Sequence, residues 1–388
     1  MKCIRKFRHL SLFSGCAGMD LGFRGDFNVN ANFISSPKKK NINNGFVHLE
    51  KTNFECVFAN DVKKESKLFW DKNNLNKNNI FRHESIVNLV KRHEKGEKIF
   101  PNDIDIVTGG FPCQDFSISG LRKGFESHKS HRNDYIIDNK EETRGLLYSW
   151  MKKVISIVKP KIFVAENVKG LANLKNIFET IKKDFTDINE GYKVFAKELY
   201  APDFGIPQSR RRIFFIGVSD KFIKENSINI TAEDLYPKPE FFKDLNLFNQ
   251  KNIYPKSEHC FFNLKEPEDE LYDESQKHYS KAKFTKGQGQ AVVNINGLAP
   301  TIRSEHHGNI EFRYLSKEHG GKDLKERRLT VRECARIQTF PDDMEFVFQS
   351  ENGSLSASSG YKLVGDAVPP LFSYKIANKL ESFLFKYL

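Results

Sequence analysis

Short apolar runs alternating with helix-like stretches constrain this chain more than any other feature. "RHLSLFSG" (8–15), "FECVFAN" (54–60), "DIDIVTGG" (103–110), "KIFVAEN" (161–167) and "RRIFFIGV" (211–218) each read as a strand bounded by turn formers. Before "KIFVAEN" lies "GLLYSWMKKVISIVK" (145–159), whose apolar residues recur at helical spacing. Strands joined by crossover helices predict an α/β fold with a mostly parallel sheet and helices on both faces. In such sheets ligands gather at the carboxyl ends of the strands.

The pattern has two interruptions and one collapse. Residues 24–53, containing "SSPKKKNINNG", and the charged stretch 126–143, "ESHKSHRNDYIIDNKEET", read as insertions. Between about 219 and 326 the alternation disappears into Lys, Asn, Pro and Gly with short β-like pieces, "QAVVNI" and "PTIRS". A separate, irregular, β-rich domain is expected there. Regularity returns with "RLTVRECARIQTF" (328–340), a helix whose Thr330 can cap it. The closing "PPLFSYKIANKLESFLFKYL" is amphipathic and is expected to dock as a C-terminal helix.

A chain of 388 residues can hold one large domain and a smaller one. Its formal net charge of +12 suits a polyanionic partner, although a solvated basic surface accounts for it equally. The six cysteines are scattered with no CxxC and no paired His/Cys cluster, so neither a metal site nor a disulfide framework is expected. The basic start is not followed by an apolar run long enough for a signal peptide or membrane span. A soluble protein of a reducing cytoplasm is the expectation.

Several strand ends carry chemistry. "LFSGCAGMDLGF" (12–23) places a Gly-x-x-Gly turn after the first strand, where a ligand can approach the backbone closely. A tight structural turn is almost as good a reading. Asp61 follows the second strand, where a carboxylate can hold ribose hydroxyls, or simply cap a helix. Cys113, in "GGFPCQDFSISG" (109–120), ends another strand on the same edge. Alone, it reads more readily as a buried structural thiol than as a nucleophile. Glu166 ends the next strand, and "QSRRRIFFIG" (208–217) sets Arg210 and Arg212 two apart, on one face of an extended segment.

Taken together, FSGCAG, GGFPCQDFSISG, ENVKG, QSRRRIFFIG, RLTVRECARIQTFPDD and GDAVPP resemble, in order, the motif series of the cytosine-5 DNA methyltransferases. The resemblance covers most of residues 1–218 and the last sixty or so. It implies a Rossmann-like methyltransferase fold that uses S-adenosyl-L-methionine, with a smaller target-recognition domain, and double-stranded DNA as substrate. Catalytic and cofactor-binding residues would lie in 1–218, completed by 358–388, with the recognition domain and hinge in 219–357.

The resemblance also assigns roles. The Cys113 thiolate would add to carbon 6 of a flipped cytosine, making carbon 5 nucleophilic. Glu166 would hold the ring at N3 and the amino group, with Arg212 and Arg210 fixing base and acid. Phe13, Ser14, Gly15, Cys16, Ala17 and Gly18 would line the methionine part of the cofactor, with Pro112, Asp366 and Ala367 nearby. Asp61 would take the ribose, Val62 and Ile86 the two faces of the adenine, and Leu147 would pack beside them. "DFSISGLRKGF" would close over the flipped base, with Ser117 on a phosphate and Gln114 near the gap.

The chain departs from the family at Ser85, which stands where an acid would meet the adenine amino group, and at Asp366, which replaces an Asn. Glu84 is a candidate substitute for the first. In the recognition region "APTIRSEHHGNIEF" (299–312) resembles the Thr-aliphatic element of such domains. Thr301 to His307 is therefore the best stretch for base contacts, with Arg303 on a phosphate more readily than on a guanine. Two other readings stand beside this one. "KFTKGQG" (283–289) resembles the CFTKGYG element of tRNA-aspartate cytosine methyltransferases, with Lys283 and Gln288 replacing its cysteine and tyrosine. A non-catalytic regulatory relative would have lost the nucleophile or the acid, and both are present. The resemblance implies a compact prokaryotic monomer that protects DNA alongside a restriction endonuclease of the same site.

Overall fold

A computed structural model describes residues 5–36, 42–112, 147–243, 252–267, 274–277, 279–281, 290–304, 310–314 and 326–388. The chain opens with β1 (Phe7–Leu12), α1 (Gly18–Arg24), β2 (Phe27–Asn30), β3 (Ile42–Asn43), β4 (Phe46–Leu49) and β5 (Phe54–Asp61). Next come α2 (Lys64–Lys72), β6 (Phe81–His83), α3 (Ile86–Glu94), β7 (Ile106–Gly110), α4 (Leu147–Val158), β8 (Ile162–Val168), α5 (Lys175–Thr186), β9 (Tyr192–Tyr200) and β10 (Arg211–Ser219). The remainder holds α6 (Asp220–Glu225), α7 (Ala232–Leu235), β11 (Gln290–Val292), β12 (Ile310–Tyr314), β13 (Glu326–Arg328) and α8 (Val331–Ile337). It ends with β14 (Phe348–Ser350), β15 (Gly353–Leu355), α9 (Ala357–Asp366) and α10 (Pro370–Tyr387).

Among the described residues the main sheet runs β6-β5-β1-β7-β8-β10-β9. All its pairings are parallel except those of β10, which is antiparallel to both neighbours. Side chains alternate across the sheet, as a period of two requires. On β8, Ile162 and Val164 join one core while Phe163 and Ala165 join the other. On β10, Phe214, Ile216 and Val218 face the first core, and Ile213 and Phe215 the second. Helices α1 and α10 pack together over the first face, and α3, α4 and α5 cover the second. The expected α/β architecture is therefore present, with one strand turned around.

The polar insertion at 24–53 folds as a small antiparallel sheet, β2-β4-β3, in which Phe27, Val29 and Val47 are buried. Its lysines and asparagines disguised a strand pattern of only four residues a side. Further along, α6 packs on β10 and α7 on α10, and the Tyr236 hydroxyl donates to the Phe214 carbonyl at 2.7 Å. A second small sheet, β11-β12-β13, lies apart from the main one. Helix α8 starts as its sequence expects. The Thr330 hydroxyl accepts from the Glu333 amide at 3.0 Å, and the Glu333 carboxylate accepts from the Thr330 amide at 2.7 Å.

Candidate active site

The carboxyl ends of β1, β5, β7 and β8 lie along one sheet edge, and a cavity of about 680 Å³ opens there. The turn after β1 forms its floor. Phe13, Gly15 and Ala17 all take left-handed backbone angles, with φ of 54°, 52° and 60°. For two residues with a Cβ this conformation is strained, and such strain gathers at functional sites. At Gly15 a Cβ would meet nothing within 4 Å, so the turn presents bare backbone to open space. The turn is braced from both sides: Asp61 Oδ2 accepts from the Gly15 amide at 2.9 Å, and Trp70 Nε1 donates to the Gly15 carbonyl at 3.1 Å. Asp61 Oδ1 accepts from the Lys63 amide at 2.8 Å, and a carboxylate keeps lone pairs beyond these two.

Phe13, Ser14, Gly15, Cys16, Gly18, Asp61, Val62, Ile86, Pro112, Leu147, Asp366 and Ala367 all line the cavity, together with Glu166, Arg212 and Arg303. Ala17, Ser85 and Arg210 do not line it. Ser85 precedes α3 with its hydroxyl buried and unpartnered among the described residues, and Glu84 is held by Arg92 at 2.7 Å. Cys113, Gln114 and Ser117 lie outside the described residues.

At the far side, Glu166 Oε1 and Arg212 Nε form a 2.8 Å ion pair with both side chains about nine-tenths buried. The reversal of β10 creates this contact. A parallel strand would carry Arg212 to the opposite edge, whereas the antiparallel register sets it opposite Val168. Burial pushes the Glu166 carboxyl above its ordinary value, against the pull of Arg212 and Arg210. Gly110 leaves the acid room, since a Cβ there would stand 3.1 Å from Glu166 Oε2. Arg210 takes a different post: fully buried, it donates to the carbonyls of Ile302, Gly365 and Ala367 at 3.0, 3.3 and 2.8 Å. It therefore pins the 299–304 segment and the α9 end against the sheet rather than meeting the cavity.

Two residues missed in the sequence complete the walls. Asn167 donates to the Phe111 carbonyl at 3.1 Å, fixing the segment that leads into Pro112. Lys63 meets Asp366 at 2.7 Å across the cavity. The first sits inside "ENVKG", where the acid beside it carries the stronger chemical signal. The second leaves no local signal, because its partner is 303 positions away.

Bare turn backbone, an acid at the next strand end and apolar Val62, Ile86 and Leu147 suit a nucleoside joined to an amino acid. This wall, beside a buried acid–guanidinium pair on a sheet with one reversed strand, defines a doubly wound S-adenosylmethionine-dependent methyltransferase. A model of the C-5 cytosine-specific DNA methylases matches residues 7–382. The Type II methyltransferase M.BspRI of Lysinibacillus sphaericus is 29% identical, over 99% of this chain and 83% of that protein. M.HhaI of Haemophilus parahaemolyticus is 31% identical, over 82% of this chain and 85% of that one. The S. pombe Dnmt2 methyltransferase shares the fold, with a TM-score of 0.58 at 16% identity, covering 97% of this chain and 99% of its own. The chain belongs to the C-5 cytosine-specific DNA methylases, enzymes that move the methyl group of S-adenosylmethionine to carbon 5 of cytosine.

Proposed function

We propose that Cys113 is the nucleophile of this methyl transfer and that Glu166 and Arg212 form the pocket for the flipped base. The observation that carries the reading is the buried Glu166–Arg212 pair, set at the strand edge where Pro112 leads into Cys113. The Cys113 thiolate adds to carbon 6, and the electron pair of the 5,6 double bond becomes available at carbon 5. Glu166, biased toward its protonated form by burial, donates to N3 as charge develops there, and Arg212 holds the carboxyl in place. S-adenosylmethionine supplies the methyl that carbon 5 takes. Loss of the carbon-5 proton to water then expels the thiolate, N3 returns its proton to Glu166, and the aromatic ring is restored.

The glycine-turn residues, Ala17 among them, with Asp61, Val62, Ser85, Ile86, Leu147, Pro112, Asp366 and Ala367, form the cofactor wall in this reading. Gln114, Ser117 and Arg303 are its DNA contacts, and Arg210 is a brace rather than a contact. Residues 1–218 with 358–388 make the catalytic domain, and 219–357 the recognition domain and hinge. The Type II methyltransferase names of its relatives support an enzyme that shields DNA from a cognate endonuclease, and this reading takes it as a cytoplasmic monomer. Among the described residues no helix is long and apolar enough to cross a membrane.

The test is methyl transfer from labelled S-adenosylmethionine to duplex DNA and to tRNA offered together. Label in DNA, and a 5-fluorocytosine-DNA adduct lost in Cys113→Ser, is the expected result. Label in tRNA alone overturns the substrate, and an adduct that survives in Cys113→Ser overturns the nucleophile.

A further inference from the structure

A second cavity, of about 460 Å³, is lined by Tyr200, Asp203, Arg211, Lys243, Tyr254 and Leu298. It is a neighbour of the reaction cavity, because Arg211 lines both. The two sites follow from the same strand. Successive side chains leave a strand on opposite faces, so where Arg212 turns to Glu166, Arg211 turns the other way. There its guanidinium sits 4.0 Å from the centre of the Tyr200 ring, its partner residue across the β9–β10 pairing. Tyr254 meets the Tyr200 ring edge-on at 5.9 Å, and its hydroxyl donates to Asp203 Oδ1 at 2.7 Å. Lys243 is exposed at the rim.

The chemistry is that of a nucleotide seat. Arg211 and Lys243 line the cavity with Asp203, which already receives the Tyr254 hydroxyl. Glu198 accepts from the Arg211 guanidinium at 2.9 Å and leaves its remaining donors to an incoming anion. Burial pushes the Asp203 carboxyl up, against the Tyr254 hydrogen bond and the charge of Arg211. Tyrosine rings beside basic groups are the usual platform for an unpaired base and its phosphate. A strand that gives up a base to the reaction cavity must carry its neighbouring nucleotide past Arg211.

We propose that this second cavity seats the nucleotide adjoining the flipped cytosine on the same strand, its phosphate between Arg211 and Lys243 and its sugar and base against the Tyr254 ring. The inference rests on DNA being the substrate, as proposed above. It adds a strand contact that the family motifs do not assign.

Fluorescence anisotropy on a duplex holding the methylated site, over a range of salt, tests it. Lys243→Gln is expected to lower the slope of log affinity against log salt by ~1, the effect of one lost phosphate contact. A neutral methylphosphonate at one phosphate beside the target cytosine should weaken the wild-type complex about three- to tenfold and leave Lys243→Gln indifferent. Tyr254→Ala should weaken binding while Tyr254→Phe restores it, since the ring and not the hydroxyl meets the base. Cofactor affinity and melting temperature serve as the control, and both should hold in Lys243→Gln and Tyr254→Phe. An unchanged slope, or methylphosphonate sensitivity equal in wild type and Lys243→Gln, overturns the seat while leaving DNA methylation standing. Failure of the wild-type protein to label DNA would instead overturn the reading beneath it.

Discussion

The cofactor wall and the region that follows β10 are held together in opposite ways. The wall is made of strand ends and tight turns, joined by backbone hydrogen bonds from neutral partners and one braced carboxylate. The later region centres on a buried quartet of charges. Arg313 Nε donates to Glu333 at 2.8 Å and its other nitrogen to Glu266, while Arg327 reaches Glu266 and Glu333, both at 2.8 Å. Those four side chains are nearly solvent-free. They tie β12 and β13 to α8, so ionic contacts hold the small sheet to that helix, beside Val293 and Leu329, which are buried in the first core. A hydrophobic core announces itself in the sequence through periodicity, and an ion quartet does not.

The largest effect should come from the wall's chemical end. With Glu166 as the proposed proton donor to N3, Glu166→Gln removes that proton but keeps the shape, so kcat should fall ~10²- to 10⁴-fold with cofactor affinity retained. Steady-state kinetics on a synthetic duplex measure this. A loss under threefold would move the acid's role elsewhere.

On the other side of the comparison, Glu333→Gln leaves two buried guanidiniums sharing one carboxylate. Burial raises the Glu333 carboxyl, yet Arg327 and Arg313 outweigh it and hold the group down at about 2. Breaking one partner of such a network costs about 3–5 kcal/mol, so a clear drop in melting temperature is expected. The sign with pH follows. A depressed carboxyl contributes stability above its unfolded value near 4.5, lost as pH falls toward 2. Acid unfolding of the wild type should therefore be steep in that interval and shallower in the variant.

The wall has the reverse case at Asp20, beneath the glycine turn. Burial pushes its carboxyl up to about 7, against hydrogen bonds from Ser11 and Cys56 and the charge of Arg24. His9 on β1 is pushed down to about 3 and Cys56 on β5 well up, both by burial first, so neither neighbour supplies a compensating charge when Asp20 ionises. A raised acid costs stability as pH climbs from 3.8 to 7, with a ceiling of ~4 kcal/mol at ~1.4 kcal/mol per pH unit. Solvent relaxation brings the measured value below that ceiling. Asp20→Asn should flatten the wild type's decline in stability over this window, read by denaturant melts at pH 4, 5.5 and 7.5. Parallel curves for the two proteins would rule the burial argument out.

These contrasts explain what could be read from the chain. The strands, the glycine turn, Asp61 and the Thr330 cap were legible because each is a local pattern of two to four residues. The reversal of β10 was not, since "RIFFIGV" buries both faces and reads the same in either direction. Arg210 and Arg212 show how far alternation goes. Spacing put them on one face, but only the third dimension separates a guanidinium gripping three carbonyls from one gripping an acid. The quartet was hidden for a similar reason: Glu266, Arg313, Arg327 and Glu333 look like ordinary surface charges until folding removes the water around them. Cys113 itself lies outside the described residues, so its reading rests on the motif and on the described neighbours Pro112, Asn167 and Glu166.

The smallest expected effect belongs to Lys63 and Asp366, an exposed ion pair of the wall, unlike the buried Glu166–Arg212 pair and the quartet. Their side chains remain 46% and 39% exposed, so water and salt screen the attraction. Such pairs couple by about 0.2–1 kcal/mol, against several for a buried quartet. A double-mutant cycle of Lys63→Ala, Asp366→Ala and the double variant, read by calorimetric titration of S-adenosylmethionine, should give a coupling within fivefold that fades by 0.5 M salt. The pair joins the end of β5 to the end of α9, so the coupling should show in cofactor affinity and leave the melting temperature almost unmoved. A coupling of tenfold or more, insensitive to salt, would mean that the bound cofactor seals the pair from water, and the wall would then work as the quartet does.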